Sequence, residues 1–401
     1  MDLLTFRQLL TPLGQAALKQ AAELAPTEST FLVCFQKLRK QFTETLAKVA
    51  LETILLRQKA RSKFTAADQM YFTREALEQA SSEAVARYRA SRLSPYQSVA
   101  DLCCGIGGDT LGLAQAGSTV LAVDNDPLRV AMTTANVAAL GYSARVQIHE
   151  ADVLAIDTSA VRAVFVDPSR RAHGHRYLEP EDYNPPLSAI RTRWPHDFPM
   201  VVKIAPGVAR HSISHLEAEL EFISLAGELK ECVLWFGPLR TASRRATLLP
   251  SSVSIHSDSN RPLPVIGPVG PYVFQVDPAV VRAELTGQVA EQFELHPLDT
   301  PGTLLSGAFP IDSPLFTPYR VEWSESYHVR RLNKYLRQHR IGRLTPVQIG
   351  SRMNPCAVMS QLKLKGSEHR VLILTRIAGK QSMIVAERLP CGSSSVEITD
   401  R

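Results

Sequence analysis

Five short apolar segments, each separated from the next by a stretch long enough for a helix, restrict the fold of this chain more than any other feature. They are SVADL, TVLAVD, RVQIHEAD, AVFVDPS and MVVKIAP, all between residues 98 and 206. Neighbouring parallel strands need a crossover connection, usually a helix, so this alternation is typical of a mainly parallel sheet. We therefore predict an α/β fold with a doubly wound sheet and helices on both of its faces.

The segment before this region has a helical pattern. Its apolar residues recur every three to four positions, at Leu9, Leu13 and Ala17 and again at Leu46, Val49, Ala50 and Ile54. That period places one apolar face on each helix, and Pro12 and Pro26 are the predicted breaks. The pattern predicts an N-terminal helical domain.

The composition changes twice after the five segments. Up to residue 313 the chain is rich in Pro, Gly and Ser, yet YVFQV and the helix start at Asp277-Pro278 indicate a small folded unit, which we expect to be ferredoxin-like. From residue 316 a basic helix, HVRRLNKYLRQHR, precedes predicted strands in QLKLKG, RVLILTRIAG and SMIVAERL. The predicted domains are 1–93, helical; 94–249, α/β; 250–315, small α/β insert; 316–390, basic α+β module; and 391–401, a tail.

Positive charge is concentrated near the C-terminus. Between Phe316 and Pro390 there are 14 Lys and Arg residues against 4 Asp and Glu, a local net charge of +10 that leaves −4 for the rest of a chain whose total is +6. Such a module is typical of polyanion binding, although a solvated basic surface without a partner is the alternative. The cations that we expect to contact RNA are Arg330, Arg331, Lys334, Arg337, Arg340 and Arg343.

Composition and cysteine spacing indicate a globular protein of a reducing compartment. Hydrophobic residues make up 45% and charged residues 21%, and no apolar run approaches the roughly 18 residues that cross a bilayer. The N-terminus lacks a secretory layout, so we expect a cytoplasmic protein. No two cysteines have the two-residue spacing of zinc or redox sites, and we expect no metal. They are Cys34, Cys103, Cys104, Cys232, Cys356 and Cys391, and the adjacent pair is predicted to be buried.

The glycine-rich segment DLCCGIGGDT, residues 101–110, lies directly after the first apolar strand and before a helix. Glycines at Gly105, Gly107 and Gly108 allow backbone N–H groups to approach a ligand, and the helix N-terminus favours a carboxylate. A purely structural tight turn is the alternative. A dinucleotide site is disfavoured because Asp109-Thr110 stands where the third glycine of that pattern is expected.

Two further carboxylates follow the next two strands. Asp124 ends TVLAVD, about twenty residues after the loop, where it could accept both hydroxyls of a ribose. Asp152 follows the next strand, where it could accept the exocyclic amine of adenine. Together with Asp101, these residues outline a predicted pocket for an adenosine-containing cofactor.

The segment DPSRR, residues 167–171, follows the strand AVFV and is the predicted reaction loop. Asp167 could orient or accept a proton from a nucleophile, and Arg170 could hold a phosphate. The alternative is an N-cap aspartate with Pro168 opening a helix. Lys203, at the end of the following strand, is expected beside Asp167, although a lysine there often extends to solvent instead.

In order and spacing, these motifs resemble those of class I S-adenosylmethionine-dependent methyltransferases, over roughly residues 70 to 250. The resemblance implies a Rossmann-like core, S-adenosylmethionine as cofactor, Asp101 and the glycines at its methionine part, Asp124 at its ribose, and Asp152 with Val153 at its adenine. The predicted cofactor residues are Asp101, Cys103, Gly105, Gly107, Gly108, Asp124, Asn125, Asp152 and Val153, and the predicted catalytic residues are Asp167, Pro168, Arg170 and Lys203.

Two narrower resemblances concern the acceptor. DLCCGIGGDT, preceded by FTREALEQASSEAVARYRASR, resembles the arrangement in trimethylguanosine cap synthases. The whole chain is similar to bacterial class I methyltransferases with a C-terminal THUMP-like domain, in which LEPEDYNPPL, KIAPG, ELKECVLWFG and RIGRLT recur. THUMP domains bind RNA, so the resemblance implies RNA as the partner of the basic module, by analogy.

The reaction loop also departs from related patterns. Amino-group methyltransferases have Pro-Pro and an aromatic residue after the Asp or Asn, whereas this chain has Ser169 and Arg170, so a stacking ring must come from elsewhere. The candidates are Tyr177, Tyr183 and Trp194. DPSR is similar to the DPPR of RNA uridine C5 methyltransferases, but IAPG lacks their nucleophilic cysteine. An aspartate paired with a lysine resembles ribose 2′-O methyltransferases.

We therefore expect methyl transfer to RNA, with a base nitrogen favoured as acceptor. The alternatives are a ribose 2′-O, protein or small-molecule methyltransferase, and a non-catalytic RNA-binding protein that retains the fold. The sequence predicts no membrane partner and leaves the oligomeric state open.

Overall fold

A computed structural model describes residues 1–172, 175–259 and 261–390. The chain forms two compact units. Unit 1 is Met1–Ala218 with Leu234–Arg240, and unit 2 is Glu219–Val233 with Thr241–Arg401. The predicted tail, including Cys391, lies outside the described residues.

Unit 1 begins with the predicted helical region. Its helices are α1 (Leu3–Leu10), α2 (Pro12–Glu23), α3 (Phe31–Leu38), α4 (Glu44–Ala60), α5 (Arg74–Gln79) and α6 (Glu83–Leu93). Side-chain oxygens of Asp2, Thr11 and Thr43 accept backbone N–H bonds at three of the helix starts. Leu9, Ala17, Leu46 and Ala50 are buried as predicted, but Leu13 is 58% exposed because it lies on the outer side of α2.

The rest of unit 1 contains the predicted parallel strands. In chain order the elements are β1 (Ser98–Leu102), α7 (Gly108–Gln115), β2 (Thr119–Asp124), α8 (Pro127–Ala139), β3 (Val146–Glu150), β4 (Ala163–Val166), β5 (Arg171–Ala172), β6 (His175–Arg176), α9 (Leu187–Arg193) and β7 (Met200–Ile204). Five strands are parallel neighbours in the order β7-β4-β1-β2-β3. β2 and β3 therefore lie on one side of β1, and β4 and β7 lie on the other. This reversal of strand order creates a switch point between β1 and β4.

Unit 2 contains most of the remaining strands. In chain order the elements are β8 (Glu219–Leu225), β9 (Glu228–Phe236), β10 (Arg244–Leu249), β11 (Val253–Ser257), β12 (Tyr272–Val276), α10 (Pro278–Arg282), α11 (Thr286–Gln292), β13 (His296–Pro297), β14 (Leu304–Gly307), β15 (Phe316–Ser326), α12 (Val329–Gln338), β16 (Ile341–Gln348), α13 (Pro355–Met359), β17 (Glu368–Ile377) and β18 (Lys380–Arg388). The last three residues of β9 belong to unit 1. A seven-stranded sheet has the order β13-β14-β12-β15-β18-β17-β16.

The C-terminal part of unit 2 confirms the predicted helix and corrects one predicted strand. The basic helix is α12, and YVFQV is β12, but QLKLKG forms no strand. Leu362 and Leu364 pack against the core, which explains the alternating pattern of this segment. The Lys363 N–H, however, donates to the side-chain oxygen of Asn333 and not to a neighbouring strand. Sequence reasoning missed two strands of this module, β15 and β16, and β16 runs parallel to β17.

The strand predicted for the insert, β12, pairs with β15 in the same sheet. The domain boundaries between 249 and 316 stay a prediction. Over the part of the chain that the structure describes, no helix is both long and apolar enough to cross a membrane.

Candidate active site

The polar residues predicted from unit 1 follow adjacent parallel strands at one edge of the sheet. Leu102 of β1 is in register with Val123 of β2 and Val166 of β4, while Val166 is in register with Val202 of β7. The residues at and just after these positions therefore share the carboxyl edge of the sheet, on both sides of the switch point. From β7 to β3 they are Lys203, Asp167, Asp101, Asp124 and Asp152.

The loop between β1 and α7 is held in an unusual backbone conformation. Cys103, Gly105 and Gly107 have φ angles of 63°, 62° and 82°, in the left-handed region that favours glycine. A Cβ on Gly107 would lie 2.9 Å from Thr133, whereas a Cβ on Gly105 would meet no atom within 4 Å. Because Gly105 faces open space, the loop leaves room for a ligand to approach its backbone.

Asp101 is the most deeply buried carboxyl group of this edge. It is 0% exposed, and its Oδ2 accepts a hydrogen bond from Thr110. Within the described residues its Oδ1 has no partner. Burial, followed by the nearby charge of Asp109, raises the pKa of Asp101 to about 8. Burial therefore disfavours the charged form of this carboxyl group.

Asp124, the last residue of β2, is hydrogen-bonded to the loop that follows β1. Its Oδ2 accepts from the Gly105 N–H at 2.9 Å, and its Oδ1 accepts from the Asp126 N–H at 3.0 Å. Burial raises the pKa of Asp124, and the two backbone bonds counteract that rise. Each oxygen keeps a second lone pair, so the carboxylate can still accept hydroxyl hydrogens.

The predicted adenine end is more open. Asp152 and Asn125 are exposed, and Val153 is buried beside them. Asp152 Oδ1 accepts from the Leu154 N–H at 2.8 Å, which orients the carboxylate. An exposed carboxylate is compatible with the polar edge of an adenine, and a buried valine is compatible with its apolar face.

The half-buried Asp167, which follows β4, forms an ion pair with the buried Lys203 of β7. Lys203 Nζ lies 2.6 Å from Asp167 Oδ2, and the lysine side chain is only 4% exposed. The lysine therefore does not extend to solvent. Asp167 does not cap a helix either, because no helix begins at Pro168. Both structural alternatives for these residues are wrong.

Three residues that sequence reasoning did not assign complete this ion pair. Lys203 Nζ also donates to Ser81 Oγ at 3.1 Å, and Ser81 Oγ accepts from Arg89 Nη2 at 2.8 Å. Arg89 forms a buried ion pair with Asp109 of α7, and its guanidinium lies 4.8 Å from the centre of the Phe165 ring. Asp167 of the reaction loop is thus connected through Lys203 and Ser81 to the buried ion pair between Arg89 and Asp109.

The position of Arg89 on its helix could have revealed this role. Val85, Ala86, Ala90 and Leu93 form the buried face of α6, and Arg89 lies among them at helical spacing. An arginine on an apolar face is rarely buried without a partner. Its partner is far along the chain, however, so only the fold identifies it.

The reaction loop is held by backbone hydrogen bonds to Asn184. Ser169 and Asn184 exchange backbone hydrogen bonds of 2.9 and 3.0 Å. Pro168 is buried, and Arg170 is half-buried. Arg170 Nη1 is shielded from solvent and has no hydrogen-bond partner in the described chain. An unsatisfied guanidinium nitrogen at this place is available to an acceptor oxygen of a ligand.

Two of the three rings considered for base stacking are unavailable. Tyr183 is 3% exposed, and its hydroxyl donates to the Leu178 carbonyl and accepts from the Ala205 N–H. Trp194 is buried, stacked on Phe198, and hydrogen-bonded to Thr158. Those two candidates are wrong because the rings belong to the core, and only Tyr177 is half-buried.

The six cations predicted to contact RNA lie in unit 2, on α12 and the segment that follows it. All are exposed, and one of them, Arg331, pairs with Glu325 at 3.2 Å. Every acidic residue between 316 and 390 is paired with an arginine: Glu322 and Glu368 with Arg370, Glu325 with Arg331, and Glu387 with Arg320. Among the described residues the other five predicted cations have no acidic partner.

Within the described residues, no group of histidine, cysteine and acidic side chains could hold a metal ion. Cys104 is buried as predicted, and Cys103 is partly buried. Burial raises the pKa of both thiols well above its usual value.

Three segments match family profiles. Residues 2–60 match a domain of unknown function, residues 96–185 match the profile described as RNA cap guanine-N2 methyltransferase, and residues 317–388 match the THUMP domain-like profile. The THUMP-like match confirms the predicted C-terminal module.

Relatives that match over most of the chain agree with these matches. Two curated proteins of Mycobacterium tuberculosis, from strains CDC 1551 / Oshkosh and H37Rv, are named uncharacterised S-adenosylmethionine-dependent methyltransferases. Each is 34% identical over 349 residues, which cover 84% of this chain and 95% of the relative. A crystal structure from Porphyromonas gingivalis W83, assigned as a methyltransferase, shares the fold with a TM-score of 0.77 at 17% identity, covering 97% of this chain and 100% of that one. The chain belongs to the S-adenosylmethionine-dependent methyltransferases.

Proposed function

We propose that this enzyme methylates RNA and that the acceptor is a base nitrogen. The observation that carries the proposal is the ion pair between Asp167 and the buried Lys203, with the Asp167 N–H bonded to the Leu102 carbonyl at the start of the glycine-rich loop. The match of residues 96–185 to the guanine-N2 methyltransferase profile supports an amino nitrogen, and the basic THUMP-like module supports RNA.

The residues at the sheet edge fit the cofactor. The free, buried Oδ1 of Asp101 suits a hydrogen-bond donor such as the methionine ammonium, and Asp124 keeps lone pairs for ribose hydroxyls. Asn125, Asp152 and Val153 would contact the adenine. The loop residues Cys103, Gly105, Gly107 and Gly108 would surround the methionine part, where Gly105 leaves open space. Bound S-adenosylmethionine supplies an electrophilic methyl group on a sulfonium.

Asp167 is the proposed acceptor of the substrate proton. Lys203 binds its Oδ2, which leaves Oδ1 to accept an N–H of the substrate. The Pro168 carbonyl would accept a second hydrogen, and Arg170 would bind an oxygen of the nucleotide through its free Nη1. The enzyme then mainly aligns a nitrogen lone pair and takes up one proton.

This arrangement favours a base nitrogen over a ribose hydroxyl. Lys203 is buried against a carboxylate and donates to it, so it is not a free base. A ribose hydroxyl becomes a good nucleophile only when a strong base removes its proton, whereas a neutral nitrogen can attack before it loses its proton to a carboxylate. Nucleoside mass spectrometry of RNA from cells with and without the gene tests this: a methylated base absent from the deletion strain supports it, and a lost 2′-O-methyl nucleoside contradicts it. Methyl label in protein rather than RNA would contradict the RNA assignment altogether.

We further propose that residues 94–249 carry the chemistry, that residues 316–390 bind RNA, and that the enzyme works in the cytoplasm. The five cysteines within the described residues are free thiols, which supports a reducing compartment.

Cofactor affinity should depend on the ionisation of Asp101. If the charged carboxylate binds the ammonium, binding releases a proton below the raised pKa of about 8. Affinity for S-adenosylhomocysteine is then expected to rise between pH 6 and 8, by up to about tenfold per pH unit. Calorimetry at several pH values measures this. Asp101→Asn should abolish the pH dependence, and a wild-type affinity that is flat over this range would contradict the proposed contact.

RNA affinity should depend on the unpaired cations of α12. Replacing Arg330, Lys334 and Arg337 with alanine is expected to lower the slope of log affinity against log salt by about 0.7 to 0.9 per contact. Arg331→Ala is the matched control, because Glu325 already neutralises that charge. Fluorescence anisotropy with the full chain measures both, and an unchanged slope in the triple variant would contradict an RNA-binding role for this helix.

A further inference from the structure

Three aromatic rings form a continuous stack in the THUMP-like module. The Trp323 ring of β15 lies 5.6 Å from the Tyr335 ring with an interplanar angle of 24°, and the Tyr335 ring lies 4.2 Å from that of His339 with an angle of 28°. Trp323 and Tyr335 pack against the core of the module. His339, at the C-terminal end of α12, is exposed. The stack therefore runs from the core to a ring at the surface.

The next residue, Arg340, is in a conformation that costs stability. Its φ of 54° lies in the left-handed region, at a position after a helix that glycine usually occupies. Its backbone carbonyl accepts a hydrogen bond from Glu368, which glycine could maintain. In the described structure its exposed side chain has no hydrogen bond or ion pair. Nothing in the fold offsets the strain of an arginine here.

Free positive charge lies next to the ring stack on α12. Lys334 and Arg337 are three residues apart and share one stripe of the helix, whereas Tyr335 and His339 are four apart and form the adjacent stripe. Lys334 and Arg337 are exposed, and no acidic residue of the described chain pairs with either. A flat ring and unneutralised cations are therefore side by side at one end of the helix.

We propose that the C-terminal end of α12 binds an unpaired RNA nucleotide, with its base stacked on His339 and its phosphates bound by Arg337 and Arg340. This rests on the proposed function, in which the module binds RNA. An unpaired base is required because a base within a duplex has both faces covered by its neighbours. Tyr335 supports one face of the His339 ring, so the ring is already oriented before the nucleotide binds.

The chemistry of the surface favours this occupant over a membrane. Of the large hydrophobic side chains that are exposed in the described residues, only Tyr327, at 41%, lies between 316 and 390. A lipid surface would require apolar residues that insert beside the cations. Cations beside the exposed His339 ring suit a phosphate and a base instead.

Removing the ring should weaken single-stranded RNA binding alone. With the full chain and fluorescence anisotropy, His339→Ala is expected to reduce affinity for an unstructured RNA of about twelve nucleotides by about tenfold. Affinity for a duplex of the same length should change less than about twofold, and the salt slope should stay the same because no phosphate contact is lost. Arg337→Ala should weaken both RNAs and lower the slope.

Replacing Arg340 should separate stability from binding. Arg340→Gly is expected to raise the melting temperature, since glycine adopts this φ without strain, and to reduce RNA affinity about three- to tenfold. Glu294→Gly is the matched control: Glu294 also follows a helix, has a φ of 54° and is exposed. It should raise the melting temperature without weakening RNA binding.

The outcomes separate this site from the proposed function. If the wild-type chain binds no RNA at low salt, the RNA assignment itself fails. If it binds RNA and the His339 and Arg340 variants bind equally well, the RNA assignment stands and the stacking site is overturned. Equal weakening of single-stranded and duplex RNA by His339→Ala would also overturn it, because stacking on an unpaired base cannot produce that result.

Discussion

Replacing Asp167 with alanine is expected to reduce methyl transfer by about 100- to 10,000-fold while S-adenosylhomocysteine binding changes little. The variant loses the acceptor that orients the substrate nitrogen and takes its proton. Asp167 adjoins the predicted cofactor residues but is not one of them. Radiolabelled methyl transfer to RNA and calorimetry with S-adenosylhomocysteine measure the two effects separately.

Two companion variants sharpen this result. Asp167→Asn keeps the shape but not the charge, and should be almost as inactive as Asp167→Ala if a carboxylate is needed. Lys203→Met should lower activity less, because the variant keeps the Asp167 carboxylate and loses only the cation that orients it. Loss of cofactor binding in Asp167→Ala would instead assign Asp167 to folding or to cofactor contact.

Replacing Arg89 with alanine should have the largest effect on stability, about 3–5 kcal/mol. The change leaves Asp109 buried without its cation, removes the hydrogen bond to Ser81 and empties the space above Phe165. Urea denaturation of the full chain, followed with a probe in unit 1, measures the effect, since a chain of two units need not unfold in one step.

The neighbouring Arg87 provides a control on the same helix. It is exposed and pairs with Glu83 at 3.6 Å, so Arg87→Ala should cost less than about 1 kcal/mol. The double variant Arg89→Leu with Asp109→Leu should recover much of the loss, because removing both charges leaves neither one buried alone. Equal destabilisation by the Arg87 and Arg89 variants would contradict the buried network.

The sequence was most informative where a pattern is repeated locally. Strand-length apolar runs alternating with helices predicted the five parallel strands of unit 1, and the glycine loop and carboxylates followed from where those strands end. Local pattern also misled: QLKLKG alternates like a strand, yet its leucines pack as a loop and its N–H groups do not pair with a neighbouring strand. The alternation reports burial, which a loop can satisfy as well.

The chain by itself thus determined the sheet, the edge at which its polar residues meet, the cofactor class and the basic C-terminal module, because these follow from residue types at fixed short spacings. Only the tertiary structure decided which groups touch. Ser81, Arg89 and Lys203 are joined through hydrogen bonds that span 8 and 122 residues, and the Tyr183 ring considered for stacking is in the core. Such contacts arise when distant segments exclude water together, and no local pattern encodes that event.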